Sequence, residues 1–399
     1  MKITFLLTQS LEDPYGLGRF WPLAKGLVGL GHQVTAVALH PDFSALKEKS
    51  FTREGVQVRY AAPMHVWKRQ NLKGYYPAWQ LLWITLRATW ALTKESLTVE
   101  SDVIHVGKAQ PMNGLAGLLV SRWQRKPLYV DCDDWEAASN RFQNSIQRSI
   151  VGWWEDRLPR WARGVTVNTC FLQERLQRLG VPSSRITFAP NGVDRERFSQ
   201  IDSQAVQALR QRLELADRRV VAYVGSMSLA SHPVDLLIEA FAEVSQSVEN
   251  ATLVLVGGGE DWEALQRQVL RLGLEKMVYF VGRVAADQVP CYMAMAHVTV
   301  DPVHDDDVAR SRSPLKILES LAAGTPVVTG DVGDRRLILA DGEAGVLVQP
   351  GSAQSLAEGI TAVLQDSRRE SSMREAALHL RERYYWDVLV HDFVRVYEK

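Results

Sequence analysis

The stretch SRSPLKILESLAAGTPVV, residues 311–328, sets the reading of this chain. It runs as a small-residue turn, a short helix, a glycine stop at Gly324 and an apolar β-branched strand. Lys316 and Glu319 are three apart and so share one helix face. The turn before them gathers the first backbone N–H groups and the positive helix end at one spot, which suits a phosphate. Lys316 adds a point charge for that phosphate, and Glu319 adds an acceptor for sugar hydroxyls. A site with both suits a nucleotide or a nucleotide sugar.

Outward from this stretch, short apolar runs alternate with amphipathic ones. The spacing predicts strands over 2–8, 33–39, 56–61, 103–106, 128–131, 165–168 and 186–189, with helices beginning near Gly18, Trp79, Asn113, Gln147 and Phe171. In the second half it predicts strands over 220–225, 252–257, 278–282, 298–302, 326–330 and 346–348. Near-continuous apolar strands between helices imply parallel sheets covered on both faces, an α/β fold. Two such runs in 399 residues imply two doubly wound domains. Ligands of such sheets lie beyond the carboxyl ends of the strands. Turn residues Pro190, Asn191 and Gly192 mark the boundary, so domains of 1–195 and 196–384 are expected. No repeat or low-complexity tract interrupts them.

Lys+Arg and Asp+Glu both total 46, so the charge balance offers nothing to nucleic acid. Cys132, Cys170 and Cys291 lie far apart, which argues against a disulfide framework or a zinc site and fits a reducing cytosol. The apolar run of MKITFLLTQS is short for a signal peptide and reads as a first strand. No run approaches the roughly 20 apolar residues of a membrane span.

PLKILESLAAGTPVV resembles the donor-binding segment of family-4 glycosyltransferases, and two further segments agree. APNGVDRERF (189–198) is similar to that family's inter-domain segment, and LVLVGGGEDWEALQRQVLRLGLEKMVYFVGRV (253–284) to its second-domain core. The resemblance runs in order from Met1 to about Tyr397. It implies the GT-B fold, two Rossmann-like domains facing one cleft, with the C-terminal helix (385–399) crossing back to the first domain. It implies a retaining, metal-independent transferase that moves a sugar from a nucleoside-diphosphate donor to a hydroxyl acceptor. The nucleotide sugar is then a substrate, and no cofactor is expected.

The resemblance also assigns residues. Lys316, with Arg312, would stabilise the leaving diphosphate, Ser313 and Leu315 would sit at the same turn, and Glu319 would bind ribose hydroxyls. Gly16 and Gly18 of DPYGLGRF (13–20) would lie beside the diphosphate and the acceptor, within reach of Arg19. Gly225 and Ser226 would form the turn opposite, and Gly282-Arg283 would line the base. The chain departs from the family at Ser226, where an Arg is usual, at Ser231 or His232, near a usual Lys, and at Ser311, where a first Glu is usual. These departures leave open a non-catalytic module that binds a nucleotide sugar or a partner glycosyltransferase; an epimerase finds no extra acid/base set.

Other residues keep two readings. Asp131, Asp133 and Asp134 cluster after a strand; Asp133 stands where relatives carry a catalytic-region His, and either acid could instead cap a helix. Asp131-x-Asp133 resembles the metal motif of the other glycosyltransferase fold, but two nucleotide-type domains argue against a metal. His105 and Asn113 are expected on the acceptor side with Asp134, or as structural residues. Two stretches rich in Trp and Arg, Trp79–Trp90 and Trp153–Trp161, suit either core packing or peripheral contact with a membrane's cytoplasmic face. The expected partners are a nucleotide-sugar donor and a carbohydrate or glycolipid acceptor.

Overall fold

The apolar runs become strands, joined mostly by helices. In chain order the first half holds β1 (Lys2–Leu7), α1 (Phe20–Gly29), β2 (Gln33–His40), β3 (Ser50–Arg53), β4 (Val56–Pro63), β5 (Val66–Arg69), β6 (Leu72–Tyr75), α2 (Ala78–Leu97), β7 (Val103–Gly107), α3 (Pro111–Gln124), β8 (Leu128–Cys132), α4 (Glu136–Ser139), α5 (Ser145–Trp161), β9 (Gly164–Val167), α6 (Cys170–Arg178) and β10 (Ile186–Phe188). The second half holds α7 (Arg195–Phe198), α8 (Ser203–Arg212), β11 (Arg219–Val224), α9 (Val234–Ser247), β12 (Ala251–Val256), α10 (Trp262–Arg271), β13 (Val278–Gly282), α11 (Val289–Ala294), β14 (Val298–Asp301), α12 (Asp307–Arg310), α13 (Leu315–Ala322), β15 (Val327–Gly330), α14 (Arg335–Ile338), β16 (Gly345–Val348), α15 (Ala353–Leu364), α16 (Ser367–Leu380) and α17 (Trp386–Val394). This computed structural model describes residues 1–12, 16, 18–69, 72–139, 142 and 144–399. Asp13, Pro14, Tyr15 and Leu17 of the first glycine turn, and Asn140 and Arg141 after the acidic turn, lie outside the described residues.

The chain divides into two units: Met1–Asn191 with Ser311–Ser313 and Trp386–Lys399, and Gly192–Arg310 with Pro314–Tyr385. The first unit holds a sheet in the order β10-β9-β8-β7-β1-β2-β4-β3, parallel except for the β3–β4 pair. The second holds a fully parallel sheet in the order β13-β12-β11-β14-β15-β16. These are doubly wound α/β sheets. The central strands are buried along their length because helices cover both faces. The sequence reading missed β3 and the β5–β6 hairpin: SFTR is a short polar edge strand with no apolar period to reveal it.

Chain direction across the sheet reverses at β1 in the first unit and at β11 in the second. β1 lies between β2 and β7, and β11 lies between β12 and β14. In such sheets ligands usually lie beyond the carboxyl ends of the strands at this switch point. On one face of the first sheet, α2, α3, α5 and α6 pack through Leu92, Ala116, Leu158 and Leu172. On the other, α1 and α17 pack through Leu23, Leu27, Leu389 and Phe393. Gly26 permits the close α1–α17 approach, since a Cβ there would lie 3.1 Å from the Val390 side chain. No described helix is long and apolar enough to cross a membrane.

Candidate functional site

In the second unit, the switch point is framed by the ends of β11 and β14. β14 ends on Asp301, a buried acid. Burial alone would push its carboxyl up, but Arg335 at 3.0 Å and Lys316 Nζ at 3.3 Å, with His232, hold it down at about 2. Lys316 is the second residue of α13, and its Nζ also lies 3.1 Å from His232 Nδ1 and 5.1 Å from the Tyr223 ring centre. The ammonium is therefore held in place by the protein itself. No side chain caps the α13 start, so its helix end offers its first N–H groups to a ligand.

Gly225 makes room for this lysine: a Cβ there would sit 3.2 Å from Lys316 Cε and 3.0 Å from Tyr223 Oη. Tyr223 Oη donates to the Ser226 carbonyl at 2.6 Å and so shapes the turn, while the Ser226 residue is exposed. The triple glycine after β12 stacks on this turn. Gly257 has φ +132°, and a Cβ there would fall 1.8 Å from the Gly225 carbonyl oxygen. A Cβ on Gly259 would fall 2.2 Å from that of Met227. Those glycines are needed for backbone contact.

Glu319 lies one turn beyond Lys316 on α13. Burial pushes its carboxyl up, opposed by Arg197, whose Nη1 is 3.1 Å away, and by Lys316. Leu315 is half-buried at the helix start, and Arg283 is exposed just after β13. Ser313 and Arg312 belong to the first unit. There Ser313 Oγ accepts from the Asn191 N–H at 3.2 Å, and Arg312 is half-buried. The second unit thus groups Gly225, Ser226, Lys316 and Glu319.

In the first unit, Arg19, Asn113 and His105 are engaged in the fold, and for His105 and Asn113 this is the structural one of the two readings. Arg19 turns inward and makes a two-pronged pair with buried Asp131, both contacts at 2.7 Å, and it also donates to the Ala189 carbonyl and to Asn191 Oδ1. Its guanidinium is spent on joining strand ends. Asn113 is fully buried and its Nδ2 donates to the carbonyls of Leu6, Gly107 and Lys108, tying β1 to β7. His105 is also fully buried, among Phe5, Tyr129, Phe393 and Tyr397, with Nδ1 2.8 Å from Tyr397 Oη. Burial depresses its pKa to about 4, so it is a neutral core residue. Gly16 closes a tight turn, where a Cβ would meet the Leu11 carbonyl oxygen at 2.2 Å, and half-buried Gly18 leads into α1.

The acidic turn after β8 is largely buried, with Asp134 its half-buried member. Lys108, just past β7, places Nζ 2.9 Å from Asp134, 2.9 Å from Glu136 and 3.5 Å from Asp133. These three carboxylates are also close enough to hold a metal ion, but the ammonium already sits among them. Burial, with Asp134 and Asp131 nearby, raises Asp133 to about 7 against the pull of Lys108. Its Oδ1 is buried and, among the described residues, has the Lys108 ammonium as its ionic neighbour and makes no hydrogen bond. Glu155 accepts from the Glu136 and Ala137 N–H groups and is raised by burial to about 8. Sequence reasoning missed Lys108, Asp301, Arg335 and Arg197. The signal for Lys108 and Asp301 was their place at strand ends; the other two carry no local mark.

Residues 206–379 match the family described as glycosyl transferases group 1, and residues 20–197 match glycosyltransferase family 4. The chain belongs to glycosyltransferase family 4. A curated relative of this family-4 chain, GDP-mannose-dependent alpha-(1-6)-phosphatidylinositol monomannoside mannosyltransferase of Mycolicibacterium smegmatis, is 31% identical over 217 residues. The match covers 54% of this chain and 56% of the relative, little more than half its length. Among solved structures, Anabaena HepE in complex with UDP and glucose superposes with TM-score 0.74 at 22% identity, covering 100% of this chain and 99% of that one. Sucrose-phosphate synthase of Thermosynechococcus elongatus superposes with TM-score 0.76 at 19% identity, covering 100% and 98%. These likenesses show the GT-B fold.

Proposed function

We propose that this family-4 protein transfers a sugar from a nucleoside-diphosphate donor to a hydroxyl acceptor, with retention of configuration and without a metal. The observation that carries the reading is the Lys316 ammonium held by Asp301 and His232 at the switch point, with Glu319 one turn along the same helix. The bond from the acceptor oxygen forms as the bond to the diphosphate oxygen breaks, on the same face of the sugar. The acceptor proton passes to the departing diphosphate. The protein's task is then to stabilise charge on the leaving group, which a fixed ammonium and helix N–H groups do without reorganising. Arg312 and Ser313 would add to this site, Leu315, Gly225 and Ser226 would shape it, and Arg283 would flank the base.

On this reading, residues 196–384 bind donor, while residues 1–195 with the C-terminal helix bind acceptor, in the cytoplasm. Asp133, whose Oδ1 lies 3.5 Å from the Lys108 ammonium, would stand with Asp134 on the acceptor side. The curated relative is named for a phosphatidylinositol mannoside acceptor, and this supports a carbohydrate or glycolipid acceptor in polysaccharide or glycolipid synthesis. The departures at Ser226 and Ser311 favour a second reading, a non-catalytic module that binds a nucleotide sugar. A thermal-shift panel of GDP- and UDP-sugars, followed by donor hydrolysis with and without EDTA, separates them. Stabilisation with hydrolysis unaffected by EDTA supports the enzyme, and stabilisation with no hydrolysis or transfer supports the module.

A further inference from the structure

The layer of α2, α3 and α5 in the first unit carries large apolar side chains that face away from the core. On α2, Trp79, Trp83 and Trp90 are 66%, 64% and 66% exposed, with Leu82 and Leu86 exposed between them. Their spacing puts all five on one stripe of the helix. The core face of α2 is a different one, carrying Ala88 and Leu92. The core-packing reading of the Trp79–Trp90 stripe is thereby corrected. Trp123 on α3 is 80% exposed, and Ile146, Ile150 and Trp153 are exposed on α5.

These stripes share one layer. α2 packs on α3, and α3 on α5. Gly114 lets α3 and α5 approach, since a Cβ there would lie 3.0 Å from Leu158 and 3.2 Å from Trp154. All three helices bury their inner faces on the same side of the sheet, so their exposed faces point outward together.

The charge on this layer has one sign. Arg87, Lys94, Arg122, Arg148, Arg157 and Arg160 are exposed. The three helices contain only three acids: Glu95 pairs with Arg59, Glu155 is buried, and Asp156 bonds to Arg175. An apolar, tryptophan-rich surface with cations and no uncommitted carboxylate complements an anionic lipid surface, where indole rings sit at headgroup level and guanidinium groups meet phosphates. We propose that the α2–α3–α5 face docks on an anionic bilayer, lying on the surface. The proposal is independent of the donor-site reading, because none of these residues belongs to that site.

The test is flotation of the full chain with vesicles of phosphatidylcholine mixed with phosphatidylglycerol, against phosphatidylcholine alone. The wild-type protein should float with the anionic vesicles, and added NaCl should weaken this. The triple variant Trp79→Ser, Trp83→Ser, Trp90→Ser should partition at least ~100-fold less. The pair Arg87→Ser, Arg122→Ser should lose roughly 30-fold on anionic vesicles and nothing on neutral ones. All five positions are exposed, and circular dichroism with a thermal midpoint verifies folding. Wild-type protein that stays unbound on anionic vesicles, or a folded triple variant that floats like wild type, overturns the proposal. So does a solution dimer that the triple variant abolishes, which would give the face to a second copy.

Discussion

Replacing Lys316 with methionine tests the donor site where its reasoning is most exposed. Methionine keeps an apolar stem beside Tyr223 and removes only the ammonium. At the 3.3 Å separation seen between Lys316 and Asp301, two unit charges near a protein surface attract by ~5 kcal/mol. A donor phosphate at a similar distance gains less, because the ammonium is already shared with Asp301. A loss of about 3 kcal/mol follows, the size seen when one such donor is removed, or roughly 100-fold in affinity. Isothermal titration with the nucleoside diphosphate that stabilises the wild type reads this directly. The fold should persist, since Asp301 keeps Arg335 at 3.0 Å. Asp301 gives stability that is present above its ordinary carboxylate pKa and is lost as pH falls toward about 2. In the variant the folded-state value lies nearer the ordinary one, so that loss should be smaller and complete at higher pH. A folded Lys316→Met protein that binds within about threefold of wild type would refute the argument, because the helix end alone would then hold the diphosphate.

Three further outcomes are expected. His105→Phe should leave transfer kinetics unchanged. Wild-type stability should fall by ~3 kcal/mol as pH drops from ~6.5 to ~4, because only the unfolded chain takes up the proton in that range, and chemical denaturation across pH should show this slope vanish in the variant. Asp133→Asn should be more stable than wild type by about 4 kcal/mol at pH 8 and no more stable at pH 4, since a carboxyl raised to about 7 opposes folding increasingly as pH rises from ~4 to ~7. Its acceptor KM should rise if Asp133 meets the acceptor. Gly257→Ala should cost about 3 kcal/mol or more and weaken donor binding, because the added Cβ meets the Gly225 carbonyl and φ +132° is closed to alanine. A thermal midpoint near that of wild type would contradict it.

The sequence by itself determined the two doubly wound sheets and the helix that carries Lys316 and Glu319. Apolar runs such as ITFLL and TLVLV and the glycine stop at Gly324 are local signals, and burial on both sheet faces demands nothing more than their period. The glycines at 225, 257 and 259 were legible as turns, yet their reason, one backbone resting on another, is a contact between segments about 30 residues apart. Tertiary structure alone decided which polar residues are spent on the fold. Arg19 sits 112 residues from Asp131, and His105 sits 292 from Tyr397, so neither pairing leaves a mark in local sequence. The same holds in reverse for α2. A tryptophan stripe at helical spacing fits a core or a surface equally well, and only the competing stripe of Ala88 and Leu92 decides which face the sheet buries.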